Sequence, residues 1–348
     1  MIVVINARFL TQKTTGVQRY AIELCNHLPK YMIGEKIIFV APRGHILNIK
    51  KIKEVKIEQF GNFKGHLWEQ IDLVNFLRKK KNPILINFGG IGPIFYSNKI
   101  TYIHDLAFKY FPETFSFLFQ KTYNFFVPIS AKNAVKVITV SNYVKKDIQD
   151  NFKIPDVEVV YAAQTNVFKD LNLKRDKIIL AVSSIDPRKN FNRLINAFLQ
   201  INTDYKLIFV GAKSKSFSDI NFNKNHDNKN IIFTGYLEDD ALLKLYNTAS
   251  IFIYASLFEG FGMPPLEAQA CGCPCIVANS TSLPEIYKDS VEYCDPFSIE
   301  SIKRKLTLLI ENKKVREDLR IKGFQNIKRF SWDKSANKLS SIIHKELI

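Results

Sequence analysis

The sequence contains no apolar run that approaches the roughly 20 residues of a membrane-spanning helix. Its opening run, residues 1–6, is apolar but short and has no basic residues ahead of it. Such a run predicts a first β-strand rather than a secretory signal. With neither a spanning segment nor a signal in view, the chain is expected to be cytoplasmic.

Cysteine is also scarce, and its odd count of five does not suggest a disulfide framework. Cys271, Cys273 and Cys275 alternate, but no CxxC pair or histidine cluster accompanies them. A structural zinc site usually has four such ligands. We therefore expect buried thiols and no bound metal.

Acidic residues are few relative to basic ones, and the formal net charge is +17. The excess is concentrated in residues 1–168, which hold 23 Lys and Arg against 12 Asp and Glu, whereas residues 169–348 hold 27 against 21. A basic half can bind nucleic acid or an anionic membrane surface, or it can reflect a genome rich in Lys, Asn and Ile codons. No aromatic and basic module of a known nucleic-acid-binding type is present, so no nucleic-acid partner is expected.

The chain is long enough for two domains, and 46% hydrophobic residues can supply two cores. Apolar runs alternate with helical patterns along the whole chain, which is typical of α/β domains with parallel sheets. A polar stretch at 166–176 separates two such series. We predict two Rossmann-like domains, the first comprising residues 1–168 and about 333–348, and the second residues 169–332. No complete GxGxxG motif is present, so dinucleotide binding is not supported.

The most informative stretch runs from residue 254 to 274. It reads as the end of a buried strand, a glycine-containing turn that includes Glu259 and Gly262, and a helix beginning near Pro264, with Glu267 in its first turn. Ligands of open α/β sheets bind at such strand ends. Two carboxylates would repel a phosphate, so we expect them to accept hydrogen bonds from sugar hydroxyls. The alternative is an ordinary loop charge and a helix-start charge.

A second junction of strand and helix carries Arg188 and Lys189, which follow the apolar run at 177–184. A helix start is electrostatically unfavourable for cations, so two bases there indicate an anionic partner such as a diphosphate. In the first half, His104 ends an apolar run, and its ordinary pKa near 6.5 suits proton handling. A structural histidine is the alternative at that position.

Several of these segments resemble one known family. The run Glu-Gly-Phe-Gly-Met-Pro-Pro-Leu-Glu-Ala at 259–268, followed by Ala-Cys-Gly-Cys-Pro at 270–274, is similar to the donor-site motif of retaining glycosyltransferase family 4. Ile-His-Asp at 103–105, Phe-Pro-Glu at 111–113 and Pro-Arg-Lys-Asn at 187–190 resemble further family segments. The resemblance implies the GT-B fold, in which two Rossmann-like domains face each other across a cleft and the last helix crosses back to the first domain.

The resemblance also implies roles for individual residues. The residues implied to act on the reacting groups are Glu259, His104, Arg188 and Lys189. Those implied to bind the donor are Glu267, Gly235, Tyr236, Phe261, Gly262 and Met263, and those on the acceptor side are Thr15, Gly16 and Arg19. The chain departs from the family at Ser184, where an arginine is usual, and at Ala255 and Ala163, where proline and glycine are common.

By resemblance, the reaction would be transfer of a hexose from a nucleotide-sugar, with GDP-mannose as the best guess, to a lipid-linked oligosaccharide of O-antigen or another surface polysaccharide. Rhamnosyl, fucosyl and N-acetylhexosaminyl transfer remain alternatives. No Asp-x-Asp triplet is present to hold a divalent ion, so neither metal nor cofactor is expected. The rival classes are a glycosidase using Glu259 and Glu267, a nucleic-acid- or membrane-binding protein, and an epimerase.

Residues 108–126 are rich in aromatics, too many to face a single core from one helix. Lys109, Lys121 and Lys132 lie nearby in the sequence. Exposed aromatics beside lysines suit a membrane interface or a lipid-linked acceptor. The segment therefore suggests peripheral binding to the cytoplasmic face of the inner membrane, with an ordinary core stripe as the alternative.

Overall fold

The computed structural model describes residues 2–53, 55–211 and 228–347. Met1 and Ile348, which the sequence analysis placed in the first strand and in the last segment of the first domain, lie outside the described residues. The chain forms two compact units. The first unit contains Met1–Pro112, Ser116–Ala162 and Ser331–Ile348, and the second contains Glu113–Phe115 and Ala163–Phe330.

The first unit is built on a seven-stranded, entirely parallel sheet with the order β3-β2-β1-β4-β5-β6-β7. Its central strands are covered on both faces, so they read as continuous runs of Val, Ile and Leu. The strands are β1 (Ile2–Asn6), β2 (Lys36–Pro42), β3 (Ile57–Phe60), β4 (Ile84–Asn87), β5 (Lys99–Tyr102), β6 (Lys136–Thr139) and β7 (Val157–Val159).

Most of the crossover connections between these strands contain α-helices, which is usual for parallel pairs. These helices are α1 (Gly16–His27), α2 (Gly65–Trp68), α3 (Val74–Lys79), α4 (Ala107–Tyr110), α5 (Phe117–Lys132) and α6 (Asn142–Phe152). A π-helical turn, Glu69–Leu73, joins α2 to α3.

The second unit repeats this plan with a six-stranded parallel sheet of order β10-β9-β8-β11-β12-β13. Its strands are β8 (Asp176–Val182), β9 (Lys206–Val210), β10 (Ile231–Gly235), β11 (Ala249–Tyr254), β12 (Cys275–Ala278) and β13 (Glu292–Cys294). Its helices are α7 (Phe191–Phe198), α8 (Asp239–Thr248), α9 (Met263–Ala270), α10 (Leu283–Tyr287), α11 (Ile299–Glu311) and α12 (Lys313–Ile327).

The last helix, α13 (Trp332–Leu347), belongs to the first unit. Near its start, Asp333 accepts hydrogen bonds from Lys30 Nζ and the Tyr31 hydroxyl, both at 2.9 Å. Further along, the Ser340 hydroxyl donates to the Tyr31 carbonyl at 2.7 Å. The predicted fold class, two Rossmann-like units with a final helix that returns to the first, is therefore confirmed.

In both sheets the strand order reverses direction at one point, between β1 and β4 in the first unit and between β8 and β11 in the second. The loops that leave the carboxyl ends of these two strands diverge to opposite sides of the sheet, and ligands of open α/β sheets bind in the crevice between them. The topology thus places the loops after β8 and β11 together, and these loops carry Lys189 and Glu259.

Gly211 permits a close backbone approach near this edge of the second sheet. It follows β9 with φ +151°, and an added Cβ would lie 1.8 Å from the carbonyl oxygen of Ser183, which follows β8. We expect Gly211→Ala to lower the free energy of unfolding by about 3 kcal/mol or more, because backbone rather than a flexible side chain has to move.

Thermal or urea unfolding of the full chain measures this effect. Gly89→Ala is the control, since a Cβ at Gly89 would meet nothing within 4 Å and its φ is not positive. Equal melting temperatures for Gly211→Ala and the wild type would contradict the close approach.

Candidate active site

The loop after β8 is fixed by two side chains that cap its turns. The Asp186 carboxylate accepts a hydrogen bond from the Arg188 backbone N–H at 2.9 Å and starts the 3-10 turn Pro187–Lys189. Asn190 then adopts a left-handed conformation with φ +63°. Its Nδ2 donates to the carbonyl oxygens of Ala255 at 3.1 Å and Pro296 at 2.6 Å. This amide holds the loop against the end of β11.

Lys189 and Glu259 meet at the point where the strand order reverses. Lys189 Nζ lies 2.5 Å from Glu259 Oε1 and 3.3 Å from the Tyr254 hydroxyl oxygen, and both charged side chains are only 11% exposed. The backbone of Glu259 is held as well, since its N–H donates to the Thr281 hydroxyl at 3.1 Å and its carbonyl accepts from the Ser282 hydroxyl at 2.9 Å. Burial, and next the charge of Glu259, raises the pKa of Tyr254 well above its ordinary value, so this phenol stays neutral.

Arg188 is paired with Asp186 in a forked arrangement. Its Nε lies 3.0 Å from Oδ1 and its Nη2 lies 3.2 Å from Oδ2. Two cations at this junction predict an anionic partner. In the structure each cation is paired with a carboxylate, Arg188 with Asp186 and Lys189 with Glu259, and α7 begins only at Phe191. A ligand diphosphate would have to compete with these two carboxylates.

Helix α9 begins at Met263, with Gly262 as its N-cap in a left-handed conformation at φ +82°. Glu267 is therefore the fifth helical residue. The prediction that it lies in the first turn of the helix is wrong. The helix starts one residue earlier than predicted because Gly262 reaches the capping conformation that a larger residue would resist. The Glu267 side chain is buried, and its Oε2 accepts a hydrogen bond from the Tyr246 hydroxyl at 2.9 Å.

The remaining predicted donor residues surround this turn or lie further along the sheet edge. Phe261 is buried with its ring edge against Phe330, 5.6 Å between centroids. Gly235 ends β10 with φ +74°, and its carbonyl accepts from the Gly211 N–H at 2.9 Å. Tyr236 is 55% exposed. The β10 strand is two places from β8, so Gly235 and Tyr236 lie at the outer part of the same carboxyl edge.

In the first unit, His104 follows β5 and packs on aromatic rings. Its Nε2–H donates to the Phe88 carbonyl oxygen at 3.0 Å. Its ring stands edge-on to Tyr20 at 5.2 Å and is stacked with Tyr102 at 6.1 Å. Burial lowers the pKa of His104, against the opposing effects of the Phe88 hydrogen bond and of Asp105. The imidazole is therefore neutral at pH 7, and because Nε2 carries the proton, Nδ1 can accept one.

Thr15, Gly16 and Arg19 form the start of α1. Thr15 is the N-cap and its N–H donates to Gln18 Oε1 at 3.1 Å, which completes a capping box. The Arg19 N–H donates to the Thr15 carbonyl at 2.9 Å. The next residue, Tyr20, packs on His104, so this helix start and the histidine are joined through one aromatic ring.

No group of three or more His, Cys, Asp or Glu side chains that could hold a metal ion occurs in residues 2–53, 55–211 and 228–347. All five cysteines are buried and unpaired. Burial raises the pKa of Cys273 to about 12, so this thiol is protonated and unreactive at neutral pH.

Sequence reasoning missed the polar residues that hold the charged ones. These are Asp186, Tyr246, Tyr254, Thr281 and Ser282. Only Asp186 gives a local signal, because an Asp followed by Pro is typical of an N-cap ahead of a helical turn. Tyr254 is the last residue of β11, and the other three reach the site from α8 and from the loop after β12.

Two family models together cover most of the chain. One described as "Glycosyltransferase Family 4" matches residues 14–163, and one described as "Glycosyl transferases group 1" matches residues 163–326. Two Rossmann-like parallel sheets with this site define the GT-B class of glycosyltransferase folds. Within that class, the chain belongs to glycosyltransferase family 4 and resembles O-antigen mannosyltransferases.

Individual relatives agree with this assignment. The chain is 27% identical to a serotype-specific mannosyltransferase WbdA of Escherichia coli over 69% of this chain, but it spans only 31% of that relative's length. It is 25% identical to the O-antigen chain mannosyltransferase B of Escherichia coli over 92% of this chain and 93% of that protein. Among solved structures, Anabaena HepE in complex with UDP and glucose matches with a TM-score of 0.79, 16% identity and coverage of 99% of this chain and 100% of that one. At that identity the match indicates the fold alone.

Proposed function

We propose that this protein is a retaining hexosyltransferase that moves a sugar from a nucleotide-sugar to a lipid-linked oligosaccharide in the synthesis of O-antigen or another surface polysaccharide. The observation that supports this proposal most is the buried Lys189–Glu259 pair at the strand-order reversal of the second sheet. It sets a cation, a carboxylate and the start of α9 beside one another where a ligand of an α/β sheet binds.

In this proposal the donor diphosphate takes the place of the two carboxylates as partner of the bases. Lys189 would leave Glu259 and Arg188 would leave Asp186 to neutralise the diphosphate as the bond between sugar C1 and phosphate oxygen breaks. Glu259, together with the amides of Phe261 and Gly262, would then be available to hydroxyl groups of the sugar. In this way both bases have an anionic partner before and after the donor binds.

The remaining roles follow from position and resemblance. Glu267 would accept hydrogen bonds from the ribose, and Met263, Gly235 and Tyr236 would contact the nucleotide. We assign His104 and the α1 start with Thr15, Gly16 and Arg19 to the acceptor side. The acceptor oxygen forms a new bond to C1 on the face that the diphosphate leaves, and the acceptor hydroxyl proton departs with the diphosphate oxygen.

GDP-mannose is the proposed donor, since relatives along most of the chain are named as mannosyltransferases. Rhamnosyl, fucosyl and N-acetylhexosaminyl donors are the alternatives. We propose that no metal takes part, because Arg188 and Lys189 can supply the charge that a divalent ion supplies in other transferases.

Thermal unfolding with a panel of nucleotides tests the donor proposal. GDP, UDP, dTDP and their sugars would each be added to the wild type in EDTA. A ligand present at 100 times its Kd raises the free energy of unfolding by about 2.7 kcal/mol, so the matching nucleotide should give a clear rise in melting temperature. No shift with any nucleotide, combined with release of free sugar from simple glycosides, would favour a glycosidase instead.

The surface of α5 supports a further part of the proposal, peripheral binding to an anionic membrane. Phe117 and Leu118 are each 76% exposed and Phe125 is 63% exposed, while Lys121 Nζ lies 5.4 Å from the Phe117 ring centroid. No helix in the described part of the chain is long and apolar enough to cross a bilayer. Exposed aromatics beside lysines suit the boundary between lipid headgroups and acyl chains.

Sedimentation with vesicles tests this surface. We expect the wild type to bind phosphatidylglycerol vesicles at low salt and to bind phosphatidylcholine vesicles weakly. The variant Phe117→Ser with Phe125→Ser should bind at least about tenfold more weakly, because each lost ring removes an apolar anchor. Phe297→Ser in the second unit, where Phe297 is 64% exposed, is the matched control. Equal binding by the double variant would reject α5 as the contact.

A further inference from the structure

A second cluster of charged and polar side chains lies at the strand-order reversal of the first sheet, and none of its members is among the site residues named above. Its centre is the carboxylate of Glu69, which is 1% exposed. Glu69 Oε1 accepts from Asn6 Nδ2 at 2.8 Å and lies 2.9 Å from Arg8 Nε. Glu69 Oε2 lies 2.8 Å from His66 Nδ1. Asn6 ends β1 and is bonded in turn to Asn87, which ends β4, at 2.8 Å.

Glu69 remains charged in this setting. Burial alone would raise its pKa, but the His66 hydrogen bond and the charge of Arg8 outweigh burial and hold the pKa below its ordinary value. Glu69 also opens the π-helical turn Glu69–Leu73. Such turns interrupt an α-helix at a cost and occur frequently at functional sites. The buried Glu69 carboxylate thus orients the side chains of Arg8 and His66.

Both oriented side chains keep hydrogen-bonding capacity that the described residues do not use. Arg8 Nη1 and Nη2 donate no hydrogen bond to the described part of the chain, although the side chain is only 16% exposed. His66 has Nδ1 engaged by Glu69, which leaves Nε2 available. The Tyr123 hydroxyl likewise has no partner among the described residues, and its ring lies 6.1 Å from the His66 ring.

Tyr123 connects this cluster with the apolar surface of α5. Its ring is stacked on Phe119 at 3.9 Å and stands edge-on to Phe108 at 5.7 Å. The same helix carries the exposed Phe117 and Phe125. Tyr123 lies between these two exposed rings in the sequence of α5, so the polar cluster adjoins the helix that carries them.

We propose that Arg8, His66 and Tyr123 form a binding site for a phosphate group that carries an apolar chain, namely the phosphate of the lipid-linked acceptor. This inference rests on the proposed function, because it names the part of the acceptor that the first unit recognises. The Arg8 guanidinium is ion-paired with Glu69 on its Nε side, and its two terminal nitrogens can act as a fork that matches two phosphate oxygens. His66 Nε2 and the Tyr123 hydroxyl supply further polar contacts.

Binding measurements on the full-length protein test this site. Three probes are used. Decyl diphosphate mimics the acceptor, and inorganic pyrophosphate supplies the phosphate groups without an apolar chain. The third probe mimics the donor and is GDP, or whichever nucleotide raises the melting temperature of the wild type. We expect Arg8→Gln to weaken decyl diphosphate binding at least about tenfold and to leave nucleotide binding within twofold. Arg43→Gln, which changes an exposed arginine of the same unit, should alter neither.

Arg8→Gln could unfold the protein because it leaves Glu69 without its cation. Two further variants test the site in that case. Arg8→Lys retains the charge but loses the fork, so it should weaken decyl diphosphate binding while the melting temperature stays near that of the wild type. His66→Gln changes a side chain that is 42% exposed and should also weaken that binding.

Unchanged decyl diphosphate affinity in folded Arg8 and His66 variants would overturn the inference. Equal weakening of nucleotide and decyl diphosphate would also overturn it, because the cluster would then belong to the donor. If inorganic pyrophosphate depends on Arg8 as strongly as decyl diphosphate does and binds as tightly, the site takes free phosphate and the acceptor assignment fails. Failure of the proposed function is separately visible as absence of any nucleotide binding, which leaves the decyl diphosphate comparison intact.

Discussion

Replacing Lys189 by Met is expected to lower kcat by about 100- to 1,000-fold, the loss found when one preorganised group that stabilises developing charge is removed. Lys189 Nζ is buried beside Glu259 and the Tyr254 hydroxyl. Its charge acts there with little screening by water. Met keeps an unbranched side chain of similar length and removes the charged ammonium group, so the effect should appear mainly in kcat rather than in KM for the acceptor.

The same substitution leaves the Glu259 carboxylate buried without its cation, which costs about 3–5 kcal/mol of stability. The double variant Lys189→Met with Glu259→Gln separates the two effects, because it should recover stability but not activity. Lys177→Met is the matched control, since Lys177 lies on the surface of the same unit with a side chain that is 63% exposed. Transfer by a folded Lys189→Met variant within about threefold of the wild type would contradict the proposed role of the cation.

Glu267→Ala is expected to weaken nucleotide binding by at least about 100-fold, since a buried carboxylate that accepts from two ribose hydroxyls would contribute about 1.5–3 kcal/mol for each charged hydrogen bond. The loss should be similar for the nucleoside diphosphate and for its sugar, because the ribose is common to both. Isothermal calorimetry with the matching nucleotide measures it directly.

Tyr246→Phe provides the control for this second prediction. It removes the hydroxyl that donates to Glu267 Oε2 at 2.9 Å but leaves the carboxylate in place. We expect a loss of about 1 kcal/mol in stability and a much smaller change in nucleotide affinity than Glu267→Ala gives. If both variants weaken binding equally, Glu267 acts only through the packing of α8 and α9, and its assignment to the ribose is wrong.

The sequence predicted strands such as β1 and β8 from the apolar runs at 1–6 and 177–184, because buried parallel strands form continuous apolar runs. It missed β3, Ile57–Phe60, which lies at the edge of its sheet and is only partly buried, so Glu58 and Gln59 interrupt the apolar pattern. It also missed β13, Glu292–Cys294, which is only three residues long and forms one edge of the second sheet. Short edge strands gain little from burial, and their sequences carry little signal.

The charged residues after β8 and β11 could be predicted because parallel strands bring their carboxyl ends to one edge. Their partners could not, since they depend on which rotamers meet across loops. Lys189 and Glu259 are 70 residues apart, and the sequence analysis assigned them to separate tasks rather than to one ion pair. Arg8 and Glu69 went unnoticed for the same reason, as no local pattern marks an arginine whose carboxylate lies in a distant π-helical turn.

Transfer of labelled mannose from GDP-α-mannose to a lipid-linked oligosaccharide, in EDTA and with the product anomer determined by NMR, tests the central claim most directly. The account predicts an α-linked product, release of GDP in equal amount, and loss of both in Lys189→Met. A product from another nucleotide-sugar that keeps the anomeric configuration of that donor would change only the donor. Inversion of the donor's anomeric configuration, or free sugar with no acceptor product from any nucleotide-sugar, would contradict a retaining glycosyltransferase.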